Sequence, residues 1–147
     1  MKVGVLCFVL LWCVMQVLSR DVPDESLDDY AFECFKELNI DKAKFSSYFD
    51  DDMRMRDLDE TGIKIMKCGV EKSNFFNQDG NVNKDVMIKS VTKWLKLRLT
   101  KGGDKDWEAL AEQFWGKCED RLKGEDKVEV MKNWNHCFTD EVILYNK

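Results

Sequence analysis

The sequence contains a single histidine, His136, and a single proline, Pro23. One histidine forms no convincing catalytic triad, and neither Gly-x-Ser-x-Gly nor His-Glu-x-x-His occurs in the chain. Zinc ligation is excluded on similar grounds, because no two cysteines after residue 19 stand at ligand spacing and only one histidine could join them. We therefore expect no catalytic residues, no metal and no cofactor.

Only one long apolar run occurs, and it lies at the start of the chain. Lys2 precedes roughly sixteen mostly apolar residues, and Val17 and Ser19 occupy the minus-three and minus-one positions of a cleavage site. The run is shorter than the roughly twenty apolar residues that a membrane span requires. The sequence therefore predicts a signal peptide at residues 1–19 and a secreted, extracellular domain at residues 20–147, without membrane insertion.

Acidic residues outnumber basic residues in the predicted mature chain. Removal of residues 1–19 takes away Lys2, one of 23 basic residues, and leaves all 28 acidic residues in place. This acidic balance argues against nucleic acid as a partner. The length of residues 20–147 suits one domain, which is large enough for a core and small enough to gain stability from crosslinks.

Four cysteines remain after residue 19. They are Cys34, Cys68, Cys118 and Cys137. A secreted chain folds in an oxidising compartment, so we expect two disulfides. Four cysteines allow three pairings, and spacing alone does not choose among them.

Apolar residues recur at helical spacing along the rest of the chain, and no stretch shows the alternation of a strand. The pattern predicts an all-α domain, a compact bundle of about six helices. The first predicted helix ends at Asn39, and the short second one begins at Asp41 and carries Phe49. The third spans Asp59 to Phe75, the fourth runs from Asn83 to Gly102, and the fifth runs from Asp104 to Gly124. The last helix carries Val130 to Phe138. Aspartate and asparagine are preferred first residues of helices, which is the basis for several of these starts.

The stretch "NQDGNV" after Cys68 resembles a cation-binding loop. A calcium loop with Asp79 at its fifth position would place Phe75 at the first position and Val86 at the twelfth, where it needs oxygen ligands. We therefore interpret Asp79 and Gly80 as a turn, in which Gly80 supplies a positive φ.

The positions of the last four cysteines resemble those of insect odorant-binding proteins. The usual pattern of that family has six cysteines, with three residues between the second and third and eight between the fifth and sixth. Lys64 and Val128 stand at the corresponding distances before Cys68 and Cys137, so the second and fifth positions are vacant. Those two cysteines bond to one another in the family, and their joint absence leaves no orphan thiol.

The resemblance covers the predicted mature chain and includes "AFECFKELNI" in the first helix. One departure is a longer stretch than usual between Cys68 and Cys118. The resemblance is to the four-cysteine "Minus-C" branch, which implies that Cys34 pairs with Cys68 and Cys118 with Cys137. It also implies that the helices surround an internal apolar cavity.

Aromatic and methionine side chains on the predicted helices are the candidate lining of that cavity. The candidates are Phe35, Phe49, Met66, Trp94, Phe114, Trp115, Met131, Trp134 and Phe138. Methionine adapts to several ligand shapes, which suits broad selectivity. Each of these residues also suits plain core, because the pattern does not separate a solid bundle from a hollow one.

Two features near the end of the chain have two interpretations each. The apolar tail of Val142, Ile143, Leu144 and Tyr145 either covers core or folds over the cavity as a lid, as such tails can in the resembled family. His136 is either a pH sensor or a structural side chain, and we favour the structural role because no partner is identified.

These observations lead to one main hypothesis and two alternatives. The main hypothesis is a secreted carrier that binds a small hydrophobic molecule between its helices, as a monomer or weak homodimer, with a receptor as a second partner. The first alternative is a scavenger similar to the amine-binding relatives of blood-feeding flies, which needs buried carboxylates at the cavity. The second is a protein-binding module with a filled core and an acidic surface.

Overall fold

A computed structural model describes residues 21–100 and 103–147, so the predicted signal peptide lies outside the described residues. The helices are α1 (Asp29–Leu38), α2 (Lys42–Ser46), α3 (Glu60–Lys72), α4 (Lys84–Arg98), α5 (Trp107–Cys118) and α6 (Lys127–Asn146). Short 3-10 turns cover Asp24–Ser26 and Glu119–Arg121. The described stretches contain two isolated β-bridges and no strand, which confirms the all-α prediction.

Polar side chains begin five of the helices and explain where they start. The capping residues are Asp41, Asp59, Asn83, Asp106 and Asp126, and each accepts a hydrogen bond from a backbone N–H of the first turn. Such caps satisfy N–H groups that have no partner within the helix. The start of α5 differs from the prediction, because the capping residue is Asp106 and not Asp104.

Several helix ends also differ from the prediction. Helix α4 stops at Arg98 because Leu99 adopts an extended backbone conformation with its side chain buried in the core. Helix α5 stops at Cys118, after which the chain tightens into the 3-10 turn. Helix α6 continues to Asn146, since no glycine or proline interrupts its last turns.

The helices pack in two groups that each surround a buried cluster. Helix α1 packs on α3, while α4 packs on α5 and α5 packs on α6. The first group buries Cys34, Phe35, Tyr48 and Ile65. The second group buries a larger cluster on α4, α5 and α6 that includes Leu95, Ala111, Phe114 and Trp134. Contacts between α3 and α6 join the two groups.

Two disulfides crosslink helices that already pack together. Cys34 bonds to Cys68 between α1 and α3, with a Cα separation of 5.9 Å. Cys118 bonds to Cys137 between α5 and α6, with a Cα separation of 5.7 Å. The pairing implied by the family resemblance is confirmed. For chain separations of 34 and 19 residues, the chain-entropy model gives about 4 and 3 kcal/mol of stabilisation.

One glycine permits close packing between α3 and the segment that precedes it. A Cβ at Gly62 would lie 2.8 Å from a ring carbon of Tyr48, so only glycine leaves room for that ring. The Tyr48 hydroxyl then donates to the carboxylate of Asp59 at 2.6 Å, and the Gly62 N–H donates to the same oxygen at 2.8 Å. These contacts fix the start of α3 against the chain that covers the first cluster.

Candidate functional site

A cavity of about 210 Å³ lies between the two packed groups of helices. Its wall includes Cys34, Phe35 and Ile65 from the first cluster, and Val91 and Trp134 from the second. Helix α4 lines it from Met87 to Arg98, a length of roughly 16 Å at 1.5 Å per residue. The cavity therefore occupies the junction that the two groups leave incompletely filled.

Seven of the nine candidate lining residues lie on the cavity wall. They are Phe35, Phe49, Met66, Trp94, Met131, Trp134 and Phe138. The other two, Phe114 and Trp115, do not line it. Phe114 packs edge-to-face on Phe138 and at a tilt on Tyr145 within the second cluster. Trp115 packs on Trp134 and donates from its indole nitrogen to Glu119 at 3.0 Å. We do not propose these two residues as ligand contacts.

Methionine is concentrated on the cavity wall. The chain has seven methionines, two of which fall within residues 1–19. The remaining five all line the cavity, namely Met53, Met55, Met66, Met87 and Met131. Unbranched thioether side chains change shape readily and contact aromatic rings favourably, so this wall can adjust to its contents.

Several wall residues were missed in the sequence analysis. Additional aromatic side chains come from Tyr30, Phe45 and Phe75. Tyr30 and Phe45 lie on helices, where they resemble ordinary core residues, and Phe75 follows the end of α3, so nothing in the spacing marked them. Met53 and Met55 were missed because they lie on a loop, although the clustering of methionine after residue 52 was a usable compositional signal.

A loop formed by residues 49–56 covers part of the cavity. Its ends meet in an antiparallel bridge between Phe49 and Met55, and both residues line the wall together with Met53. The carboxylate of Asp50 accepts hydrogen bonds from backbone N–H groups of Asp52 and Arg54 at 3.0 and 2.9 Å. The loop therefore has an internal structure of its own.

Helix α6 holds the 49–56 loop in place. The Asn135 side chain donates to the Met53 carbonyl at 3.0 Å and accepts from the Met55 N–H at 2.7 Å. His136 Nε2 donates to the Met55 carbonyl at 2.7 Å. Arg54 forms a salt bridge with Asp140. The structure gives His136 a hydrogen-bonding role between α6 and the loop, in line with the structural interpretation of this residue.

One carboxylate lies on the cavity wall, and it is paired. Asp28 Oδ1 is 2.7 Å from Lys93 Nζ, which also donates to the carbonyl of Leu27 at 3.2 Å. Burial, with a smaller contribution from the charge of Asp28, raises the pKa of the Tyr30 hydroxyl above its usual range. Tyr30 thus stays neutral, and the Lys93 ammonium balances the charge of Asp28.

One cation on the wall forms no salt bridge with any carboxylate of the described residues. Arg98, the last residue of α4, donates from its guanidinium to the carbonyl of Asp52 and, at 3.4 Å, to Oγ1 of Thr139. Burial lowers the pKa of Arg98, while the charges of Asp52 and Asp50 act in the opposite direction. An arginine side chain keeps its charge in proteins despite such shifts, so the wall carries one positive charge.

The apolar tail does not lie over the cavity. All four tail residues belong to the last turns of α6. Val142 is 2 % exposed within the second cluster, and Tyr145 packs on Phe114 with its hydroxyl 2.6 Å from Lys105 Nζ. Leu144 is 58 % exposed, and Ile143 is half-buried. None of the four lines the cavity, so this arrangement supports the core interpretation over the lid.

The turn at residues 77–82 uses its polar groups internally. Gly80 has a φ of 86°, and Asp79 accepts hydrogen bonds from the backbone and side chain of Asn81 at 3.0 and 2.9 Å. Phe76 and Val82 form a bridge across the turn. Within the described ranges, no group of three or more histidine, cysteine or acidic side chains is placed to hold a metal ion.

The fold and the cavity together define a helical protein with an internal apolar site. A family model, that of the PBP/GOBP family, matches residues 20–141. The chain belongs to this family of odorant-binding proteins, as the cysteine positions indicated. The family consists of binding and carrier proteins and not of enzymes. No curated protein and no solved structure matches the chain. Among the described residues, no helix is long and apolar enough to cross a membrane.

Proposed function

We propose that this protein is a carrier that encloses small, mostly apolar molecules in the cavity between its two groups of helices. The observation that carries the proposal is the wall itself, which gathers eight aromatic rings and all five methionines of residues 21–147 around one space. Transfer of a ligand from water to such a wall is favourable by about 0.8 kcal/mol for each buried CH₂ group. Few polar contacts are needed for useful affinity.

The size of the cavity sets the size of the ligand. A cavity of about 150 Å³ holds one benzene ring, and typical ligand sites reach roughly 300 to 1,000 Å³. The observed volume of about 210 Å³ is larger than the benzene-sized cavity and smaller than a typical ligand site. We infer that the resting cavity accepts a single-ring compound or a short chain, and that longer chains require methionine side chains to change rotamer.

The paired carboxylate argues against the amine-scavenger alternative. An amine ligand needs a free negative charge at the cavity, and Asp28 is already bonded to Lys93 at 2.7 Å. Arg98 would also repel a cationic ligand. The alternative of a protein-binding module with a filled core receives no support from a cavity of about 210 Å³ between the helices.

Further parts of the proposal concern the context in which the carrier acts. We propose that residues 1–19 are removed on secretion and that residues 20–147 form the mature domain. Loss of Cys7 and Cys13 with that segment leaves the four disulfide-bonded cysteines, which supports assignment to the "Minus-C" branch. A monomer or weak homodimer that delivers its ligand to a receptor remains the expected mode of action.

The test is a titration of the purified protein with a series of straight-chain alcohols. Trp94 and Trp134 line the cavity, so ligand entry changes the tryptophan fluorescence. Affinity should rise about fourfold for each added CH₂ group and level off once the chain outgrows the space. Phenethylamine and 2-phenylethanol provide a matched pair that differs in charge and not in ring size.

The outcomes separate the three hypotheses. Micromolar binding of 2-phenylethanol with much weaker binding of phenethylamine supports the carrier. The opposite preference supports the amine scavenger. No binding of any alcohol or amine rejects both and favours a protein-binding module.

A further inference from the structure

The polar groups on the cavity wall differ in how fully their bonding capacity is used. Asn135 uses both atoms of its amide on the backbone of the 49–56 loop. Asp28 is paired with Lys93, and Ser26 donates to the backbone of its own turn at 2.6 Å. Each of these three wall side chains therefore has a hydrogen-bond partner within the protein.

Arg98 has more donors than partners. A guanidinium carries five N–H donors, and two hydrogen bonds join that of Arg98 to other described residues. Both acceptors, the Asp52 carbonyl and the Thr139 hydroxyl, are neutral oxygens, and the carboxylates of Asp52 and Asp50 act on the guanidinium only through their charge and not as hydrogen-bond acceptors. Arg54 provides the contrast, since its guanidinium is neutralised by the carboxylate of Asp140.

The contacts of Arg98 place its charge beside the cavity. Thr139 is 0 % exposed and follows the wall residue Phe138, while Asp52 precedes the wall residue Met53. Arg98 lines the cavity, and its guanidinium lies between these two segments, with the Asp52 contact on the exposed side and the Thr139 contact on the buried side. A charge in such a place is stabilised by an opposite charge that brings hydrogen bonds with it.

We propose that the cavity selects ligands that carry a carboxylate on a short apolar body, with the carboxylate bound by Arg98. The planar fork of a guanidinium matches the two oxygens of a carboxylate, which a neutral acceptor does not reproduce. The proposal rests on the carrier function proposed above and adds the polar half of the ligand. The aromatic and methionine residues hold the apolar half.

The experiment compares octanoate with octanamide, which have nearly the same shape and differ in charge. Calorimetric or tryptophan-fluorescence titrations are made at pH 7 with the wild-type protein, Arg98→Gln and Arg121→Gln. Arg121 is exposed in the 3-10 turn after α5 and does not line the cavity, so it controls for net charge. We expect octanoate to bind roughly tenfold more tightly than octanamide in the wild type and in Arg121→Gln. That preference should disappear in Arg98→Gln while octanamide affinity is retained.

Arg98→Lys is the second variant, in case Arg98→Gln does not fold. It keeps the charge but lacks the planar fork, so octanoate affinity should fall several-fold with octanamide affinity unchanged. Equal affinities of octanoate and octanamide in the wild type, or equal weakening of both in Arg98→Lys, overturn the proposal. The carrier function stands in those two cases, whereas failure of both ligands to bind the wild type rejects the carrier function itself.

Discussion

The side chain of Asn135 accepts a hydrogen bond from the backbone N–H of Met55 at 2.7 Å. The same amide donates to the carbonyl of Met53 at 3.0 Å, so one residue of α6 fixes two methionines of the cavity wall. Because the 49–56 loop covers part of the cavity, the stability of this contact should control how readily a ligand leaves.

Asn135→Ala should loosen the loop. The substitution leaves a partly buried N–H and a carbonyl without partners, at a cost of about 1 to 3 kcal/mol. We expect faster ligand release in stopped-flow measurements and faster hydrogen exchange at the Met55 amide. Asn133→Ala is the matched control, because Asn133 also lies on α6 but donates to the carbonyl of Lys123, in the segment that precedes the helix and not in the 49–56 loop. Unchanged release in Asn135→Ala would show that the loop does not limit exit.

Alanine-to-leucine substitutions at two sites should have opposite effects. Ala31 lines the cavity, and Ala111 is 0 % exposed in the second cluster. Ala31→Leu fills free space, so we expect weaker alcohol binding and a free energy of unfolding within about 1 kcal/mol of wild type. Ala111→Leu overpacks a filled core and should lower the free energy of unfolding by about 1 to 3 kcal/mol.

Denaturant unfolding and alcohol titration of both variants provide the measurement. Full alcohol affinity in Ala31→Leu would place the binding site elsewhere on the protein. Loss of alcohol binding in Ala111→Leu but not in Ala31→Leu would also place the binding site elsewhere on the protein.

The carboxyl group of Asp59 should contribute to the loss of folding stability at low pH. The Tyr48 hydroxyl, and after it the Gly62 N–H, lower the pKa of this carboxyl to about 2 from its usual 3.8. A carboxyl with a depressed pKa in the folded state stabilises the fold above pH 3.8, and this contribution is lost as the pH falls through 3.8 toward about 2. Asp59→Asn keeps a capping oxygen and removes the titration, so its unfolding free energy should fall less steeply over that window.

The measurement is denaturant unfolding of wild type and Asp59→Asn at several pH values across the window. Asp51→Asn makes the same change of charge at an exposed carboxylate of the 49–56 loop and serves as the control. Identical slopes for wild type and Asp59→Asn would contradict the assigned role of the Tyr48 contact.

Lys64→Cys with Val128→Cys should form the crosslink that the six-cysteine family pattern contains. Lys64 is solvent-exposed on α3 and bonded to Glu60 at 2.7 Å, and Val128 is buried at the start of α6. A bridge there would join the two helix groups at the α3–α6 contact and slow ligand exchange. Free thiols that persist in the oxidised double variant would show that these positions do not correspond to the family's second and fifth cysteines.

The sequence contained strong signals for the helices and weaker ones for the cavity. Asp41 and Asn83 marked helix starts correctly, because a capping side chain acts locally. Apolar periodicity identifies the buried face of a helix but not whether that face meets another side chain or empty space. For this reason Phe114 and Trp115 could not be separated from Trp134, which does line the cavity.

Arg98 shows a second limit of the sequence pattern. It stands seven residues after Val91 on the same face of α4, and this register was available from the sequence. Its importance depends on Thr139 and on the carbonyl of Asp52, which lie far from it along the chain. Unused N–H donors on a guanidinium beside a cavity are therefore identified only once the tertiary contacts are known.

The placement of methionine has a practical consequence for spectroscopy and for chemical damage. Isotope labelling of the methionine methyl groups would give five resonances from residues 21–147, and every one of them would come from the cavity wall. Oxidants convert methionine to a polar sulfoxide, so peroxide would act on the lining of the site. Two of these methionines also belong to the packing of the second cluster, Met87 as a buried member and Met131 as a partly buried neighbour. Oxidation would thus place polar sulfoxide groups both on the cavity wall and, at Met87, within the packed core.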